Sequence, residues 1–256
     1  MSALRFVNAP YLRLSGRDEI VAAADGHPFV SCFVAPEAVG FQRDETLVWN
    51  WIWGDDSSLM AFGEPERAAR LLQDVMAETH PSRLTIPVEV YDLLPEDARP
   101  PTPNRWRWFY TRAVPELPGV KPRGEWLDGS AEDEITELLT AGFPGASNWP
   151  GPARGSGRRR WFGVRDDDGS LAACGLASTN GGEVPNLASI CVHPDARGRG
   201  LASDMTTWVT ARLLDEGAPL VALGSYVSEE ATHRLYRRLG YRDVYVLASG
   251  RLRPEE

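Results

Sequence analysis

The sequence predicts an α/β protein of the α+β kind, a mixed twisted sheet flanked by helices. Three observations lead there. Short apolar runs of strand length alternate along the chain with segments whose apolar residues recur at helical spacing. Glycine and proline clusters punctuate the two kinds of segment. The chain has 256 residues, of which 43% are hydrophobic, which is enough to bury one large core or two modest ones.

Taken in order, Phe29-Val30-Ser31-Cys32-Phe33-Val34 and Thr46 to Trp53 read as strands and Glu64 to Glu78 as a helix. Trp49, Trp51 and Trp53 alternate and so share one face of a strand, which reads as a sheet core rather than a substrate wall. Arg105 to Val114 reads as a further strand, with Trp106, Trp108 and Tyr110 alternating. Pro115, Pro118 and Pro122 then interrupt any regular element. This predicts two domains, residues 1–115 and 116–256.

The second domain opens with a strand at Glu125-Trp126-Leu127 and a helix from Ser130 bearing Ile135, Leu138 and Leu139. Gly142 to Gly157 is rich in Gly, Pro and Ser around Phe143 and Trp149, the composition of a lid. Trp161 to Val164 and Leu171 to Cys174 read as strands joined by a hairpin turn at Asp166-Asp167-Asp168-Gly169. Leu187 to Val192 is a nearly continuous apolar run, read as a strand buried on both faces. Beyond it, Leu201, Met205, Trp208, Val209 and Leu213 fall at helical spacing before Gly217. Leu220 to Val227 reads as a strand. Ser228 reads as the N-cap of a helix with Glu229 and Glu230 in its first turn and Ala231, Leu235 and Leu239 on one stripe. Gly240-Tyr241 closes that helix before the strand Val244 to Leu247.

The segment with most chemistry is Arg197-Gly198-Arg199-Gly200-Leu201-Ala202, between an apolar strand and a helix. The first amides of a helix have no partner inside it and sit at the positive end of its dipole, so an anion bound there meets several donors at once. Glycine lets a phosphate approach the backbone closely.

With Ala231-Thr232-His233-Arg234-Leu235-Tyr236-Arg237-Arg238-Leu239-Gly240-Tyr241 further on, this loop resembles the signature of the GNAT acyltransferase superfamily over roughly residues 118 to 256. The resemblance implies that an acyl-coenzyme A pyrophosphate sits on the amides of Gly198, Arg199, Gly200, Leu201 and Ala202, with Arg197 and Arg199 adding charge. It implies pantetheine pairing along Ile190, Cys191 and Val192, whose amides would also polarise the thioester carbonyl. Tyr236 matches the family tyrosine that protonates the leaving thiolate. Ser228 stands where many relatives carry an asparagine that contacts the cofactor. Leu223 stands where some carry a base glutamate, leaving Glu183 as the candidate base, with a polar turn at Glu183 and a base that is water or absent as the alternative. The function implied is transfer of acetyl from acetyl-coenzyme A to a primary amine of a small molecule by direct attack. Transfer to a protein or peptide amine, and a non-catalytic acyl-coenzyme A-binding module, are the alternatives. The two-domain layout is similar to that of glycine N-acyltransferases, with the first domain a degenerate relative of the second.

Other features read as structural. Cys32, Cys174 and Cys191 lack pairing or metal spacing and read as buried thiols, and His193 and His233 have no metal-ligand company, so no metal is expected. Arg158-Arg159-Arg160 reads as a solvated cluster, or as a contact for the cofactor's ribose phosphate or an acidic substrate. A net charge of -9 and a pI near 5.1 argue against nucleic acid as a partner. No run approaches a membrane span and the N-terminus lacks a signal-peptide core, so a cytoplasmic location is expected.

Overall fold

A computed structural model describes residues 11–53, 56–116, 118, 122–143, 159–179 and 184–253. The elements run β1 (Leu12–Ser15), α1 (Gly16–Ala23), α2 (Pro28–Phe33), β2 (Val39–Arg43), β3 (Thr46–Trp53), β4 (Asp56–Phe62), α3 (Pro65–Thr79), β5 (Arg83–Pro87), α4 (Val88–Leu93) and β6 (Asn104–Thr111). There follow β7 (Glu125–Leu127), α5 (Glu132–Gly142), β8 (Arg159–Arg165), β9 (Leu171–Thr179), β10 (Pro185–Val192), α6 (Leu201–Asp215), β11 (Val221–Tyr226), α7 (Glu230–Arg238) and β12 (Arg242–Arg251).

The chain divides into two compact units, one of residues up to Arg105 together with Leu247 onward, the other Trp106–Val246. The division thus falls ahead of the proline-rich stretch, and the strand expected to close the first domain belongs to the second unit. Pairing explains this. Six residues of β6 lie in antiparallel register with β11, from Trp106↔Tyr226 to Thr111↔Val221. Phe109 on that strand is fully buried with Leu223 and Tyr236, a burial that stabilises by about 2–3 kcal/mol. In exchange, Leu247–Arg251 of β12 pairs with β5 in the first unit.

In the first unit β1, β2, β3 and β4 are antiparallel neighbours in that order, and β4 pairs parallel with β5. The core gathers Phe41, Val48, Leu59, Leu71, Leu72, Val75, Leu84 and Ile86. Trp49 and Trp51 are buried, as a core face requires; the side chain of Trp53 lies outside the described residues. The run 29–34, expected as a strand, is the helix α2. Pro28 sits at its first position, where a missing N–H is no loss, and the His27 ring accepts from the Phe29 amide. A short apolar run fits a buried helix as well as a buried strand, and here Phe29, Val30, Cys32 and Phe33 are all interior.

In the second unit the order is β7-β8-β9-β10-β11-β6, antiparallel except for the parallel step from β10 to β11. Helices α6 and α7 cover one face, where Phe162, Leu187, Leu201, Met205, Val209, Leu223 and Tyr236 meet. Helix α5 covers the other through Ile135, Leu138 and Leu139 against Cys174 and Cys191. The hairpin at Asp166 to Gly169 forms as expected, closed by the Asp166 amide on the Ser170 carbonyl with Gly169 at φ +86°.

Candidate functional site

The expected double burial of the 187–192 run does not hold. Burial along β10 alternates residue by residue, and the reason for the uninterrupted apolar sequence is a bulge. β10 keeps antiparallel register with β9 from Pro185↔Thr179 to Ala188↔Leu176, then slips and resumes at Cys191↔Cys174. Ser189, at φ +50°, carries the extra residue. A one-residue slip turns following side chains to the opposite face. Leu187 accordingly lies in the α6/α7 core while Cys191, four residues on, packs under α5. Burial pushes the Cys191 thiol up to about 11, so it stays a neutral packing group.

Beside the bulge the two parallel strands part. Parallel register joins Asn186 to Ala222 and Leu187 to Leu223, after which Gly224, Ser225 and Tyr226 continue against β6. The His193 amide donates back to Ala172 on β9 (2.9 Å), so by strand alternation the Val192 amide points toward the β11 side, where the strands diverge.

A single 3₁₀ turn, Pro194–Ala196, leads from this tip to the loop. Gly198 and Gly200 take φ of +78° and +80°, the left-handed region open to glycine, and nothing lies within 4 Å of where a Cβ would stand on either. Gly200 is the N-cap of α6 and supplies no side-chain cap. The first helical bond is from the Asp204 amide to the Gly200 carbonyl (3.1 Å), which leaves the amides of Leu201, Ala202 and Ser203 outside the helical ladder at the positive end of the dipole. Residues 197–200 are exposed. The segment from Ile190 to Ala202 is therefore one continuous edge, a strand tip followed by a helix end whose first amides have no partner inside the helix.

The arginines are disposed otherwise than the sequence reading expects. Arg199 turns away from the helix end and grips Asp166 of the β8–β9 hairpin through both terminal nitrogens, the longer contact at 2.8 Å. That guanidinium holds the Asp166 carboxyl below its ordinary range. Arg197 donates to the Gly142 carbonyl at the end of α5 (2.9 Å). Each arginine thus fastens the loop to a neighbouring element, because a fixed carboxylate and a free helix-end carbonyl stand within its reach. Arg160, similarly, pairs with Glu216 and lies over the Trp126 ring, 3.5 Å from its centroid.

Tyr236 projects from α7 into the core between Phe109 and Tyr241, with ring centroids 5.7 Å and 6.0 Å away. Burial, with a smaller contribution from the Glu229 carboxylate, raises its pKa, so the phenol keeps its proton. Leu223 is a fully buried core residue. Ser228 does not cap α7. It lies exposed in the turn before it, and Glu229 occupies the N-cap, its amide bonded to the Tyr226 carbonyl (3.0 Å). Glu183, and the candidate lid from residue 144 onward, lie outside the described residues.

Three features escape sequence reasoning. The bulge at Ser189 underlies an apolar run that composition does not distinguish from a strand buried on both faces. Gly142 ends α5 so close to β10 that a Cβ there would stand 2.5 Å from the Cys191 sulfur. His233 is a buried clamp on β11, its Nε2 2.9 Å from the Tyr226 carbonyl oxygen. No cluster of metal-ligating side chains occurs among the described residues, and no helix there is long and apolar enough to cross a membrane.

Residues 127–241 match the model of the acetyltransferase (GNAT) family. No curated protein matches the sequence. Among solved structures, the chain is similar to a putative acetyltransferase of the GNAT family from Novosphingobium aromaticivorans, at 20% identity and a TM-score of 0.50 over 91% of this chain and 96% of that one. It is similar also to a GCN5-related N-acetyltransferase from Sphaerobacter thermophilus, at 16% identity and a TM-score of 0.51 over 96% and 97%. A GNAT-family acetyltransferase from Colwellia psychrerythraea gives 12% and 0.51 over 91% and 90%. These likenesses describe the fold, and they extend over both units. The match over 127–241 lies within the second unit and gives that unit the sequence signature of the acetyltransferase (GNAT) family, which supports an enzyme of that type.

Proposed function

We propose that the protein transfers an acetyl group from acetyl-coenzyme A to a primary amine of a small molecule by direct attack on the thioester. The observation that carries this reading is the uncapped first turn of α6, reached through two left-handed glycines with open space around them, at the tip of a bulged strand that is leaving its parallel neighbour. A diphosphate fits such a helix end, and a pantetheine arm fits a strand edge whose amides are turned toward a gap.

Under this reading the amides of residues 198–203 hold the diphosphate, and the edge of β10 near Ile190, Cys191 and Val192 holds the arm. The amine lone pair attacks the thioester carbonyl carbon. The carbonyl oxygen takes up negative charge and is met by the Val192 amide. Collapse of the tetrahedral species breaks the carbon–sulfur bond, and the Tyr236 phenol delivers its proton to the departing thiolate. The amine proton leaves to water, and the phenolate recovers one from solvent. A carboxylate is not needed at residue 223 for this sequence, since attack requires only that the amine arrive neutral.

Thiol release from acetyl-coenzyme A tests the reading across a panel of alkylamines, arylalkylamines, amino acids and a lysine peptide. Release with a small amine supports it, and release only with the peptide moves the acceptor to the protein class. Calorimetric binding of coenzyme A without thiol release from any amine would reduce the protein to a binding module.

A further inference from the structure

Helix α7 buries two polar rings on one face, Tyr236 and, one turn earlier, His233. Both rest on Phe109 of β6, at centroid distances of 5.7 Å and 5.8 Å. His233 Nε2 lies 2.9 Å from the Tyr226 carbonyl oxygen, and a carbonyl can only accept, so this nitrogen carries the proton and donates it. Tyr226 ends β11 on the stretch where that strand has parted from β10. Its carbonyl also receives the Glu229 amide, so two α7-side donors fix the same oxygen.

The other ring nitrogen makes the point sharper. Nδ1 is buried and has no hydrogen-bond partner among the described residues, with a Glu230 carboxylate oxygen 3.6 Å away. An unmet buried acceptor destabilises a core, and a phenylalanine would fill the same space without it. What the imidazole adds over an apolar ring is the donor on Tyr226.

We propose that His233 is a positioning residue for acetyl transfer: by tying the end of β11 to the helix that carries Tyr236, it sets the phenol against the strand edge where the thioester lies. This rests on the reading of the site as an acetyltransferase centre. A small displacement of a proton donor slows the chemical step far more than it weakens binding of a cofactor held elsewhere.

The test uses the full chain with acetyl-coenzyme A and whichever amine of the panel the wild type acetylates. His233→Phe should lower kcat about tenfold while KM for acetyl-coenzyme A and the calorimetric Kd for coenzyme A stay within about twofold. His233→Gln, whose side-chain amide can donate from nearly the same place, should recover most of that loss. Unchanged kcat in His233→Phe, or parallel changes in kcat and Kd, would overturn the proposal. Should His233→Phe fail to fold, the comparison passes to His233→Gln and to the wild-type imidazole by nitrogen NMR. A slowly exchanging proton on Nε2 with near-native turnover in His233→Gln supports the role, and a proton on Nδ1 sinks it. A wild type that releases no thiol with any amine fails the transferase reading itself, a distinct result.

Discussion

The two units run through one order of elements: a strand, a helix or pair of helices, three further strands antiparallel to one another, a helix, a parallel strand, another helix, and a closing antiparallel strand taken from the other half of the sequence. They differ at the junction between the last of those three strands and the helix that follows it. In the first unit only residues 63 and 64 separate β4 from α3, and the Glu64 carboxylate accepts from the amides of Glu66 (3.2 Å) and Arg67 (3.0 Å). In the second, residues 193–200 intervene and Gly200 caps α6 with no side chain. One helix end is closed by its own negative charge and the other is left for someone else's. The strands differ likewise, since β4 holds regular register with β3 from Phe62 to Asp56 while β10 carries the bulge. Even the tyrosines part ways. Tyr91 on α4 spends its hydroxyl on the Pro100 carbonyl (2.8 Å), whereas Tyr236 on α7 makes no side-chain hydrogen bond among the described residues. The same order of elements thus ends in a capped helix start in one half and an open one in the other, a difference of a few backbone amides.

The comparison can be broken by making the second junction like the first. Gly200→Asp places a carboxylate at the α6 N-cap, as Glu64 does for α3, and should raise the calorimetric Kd for coenzyme A by at least about 100-fold, or roughly 2.7 kcal/mol. Retained affinity in a folded Gly200→Asp would show that the amides do not hold the diphosphate. Tyr236→Phe should leave coenzyme A affinity alone and reduce kcat by more than about tenfold in the thiol-release assay, if the phenol is the acid.

Two changes sharpen the contrast through stability. Gly142→Ala forces a methyl against the Cys191 sulfur and should lower stability by about 1–3 kcal/mol in denaturant titration, with Tm falling in step. Glu64→Ala removes the cap of α3 and should cost about 1 kcal/mol without moving the Kd for coenzyme A, which confines the ligand to the second unit.

The smallest effect concerns Arg199, whose charge is spent on Asp166. Arg199→Gln should shift the Kd for coenzyme A less than about twofold at moderate salt, because the pair is exposed and its guanidinium faces the hairpin. The Asp166 carboxyl is depressed by that hydrogen bond, so what the pair contributes is complete above the ordinary aspartate value, near pH 4, and fades as pH falls through the lower folded value. The Tm difference between wild type and Arg199→Gln should therefore shrink as pH falls below the ordinary aspartate value.

Much of the second unit is legible in sequence because its signals are local. The left-handed glycines, the periodic face of α6 and the turn at Asp166 to Gly169 each state their geometry within a few residues. The strand that becomes α2 is misread because Phe29 to Val34 offers no period to choose by, and Pro28 with His27 decides the matter from outside the run. Ser228 and Glu229 compete for one cap, and the carbonyl of Tyr226 settles it in favour of the second.

What the sequence by itself determined was the glycine-rich loop, the helix it opens and the place of Tyr236 on the next helix, since each rests on backbone preference and side-chain spacing over short stretches. Only the tertiary structure decided where the charges of Arg197 and Arg199 go, that β10 bulges at Ser189, that His233 bonds to Tyr226, and that each unit closes its sheet with a strand from the other half. Those outcomes turn on which partner lies nearest in space, and residues distant along the chain become neighbours only when the sheet has formed.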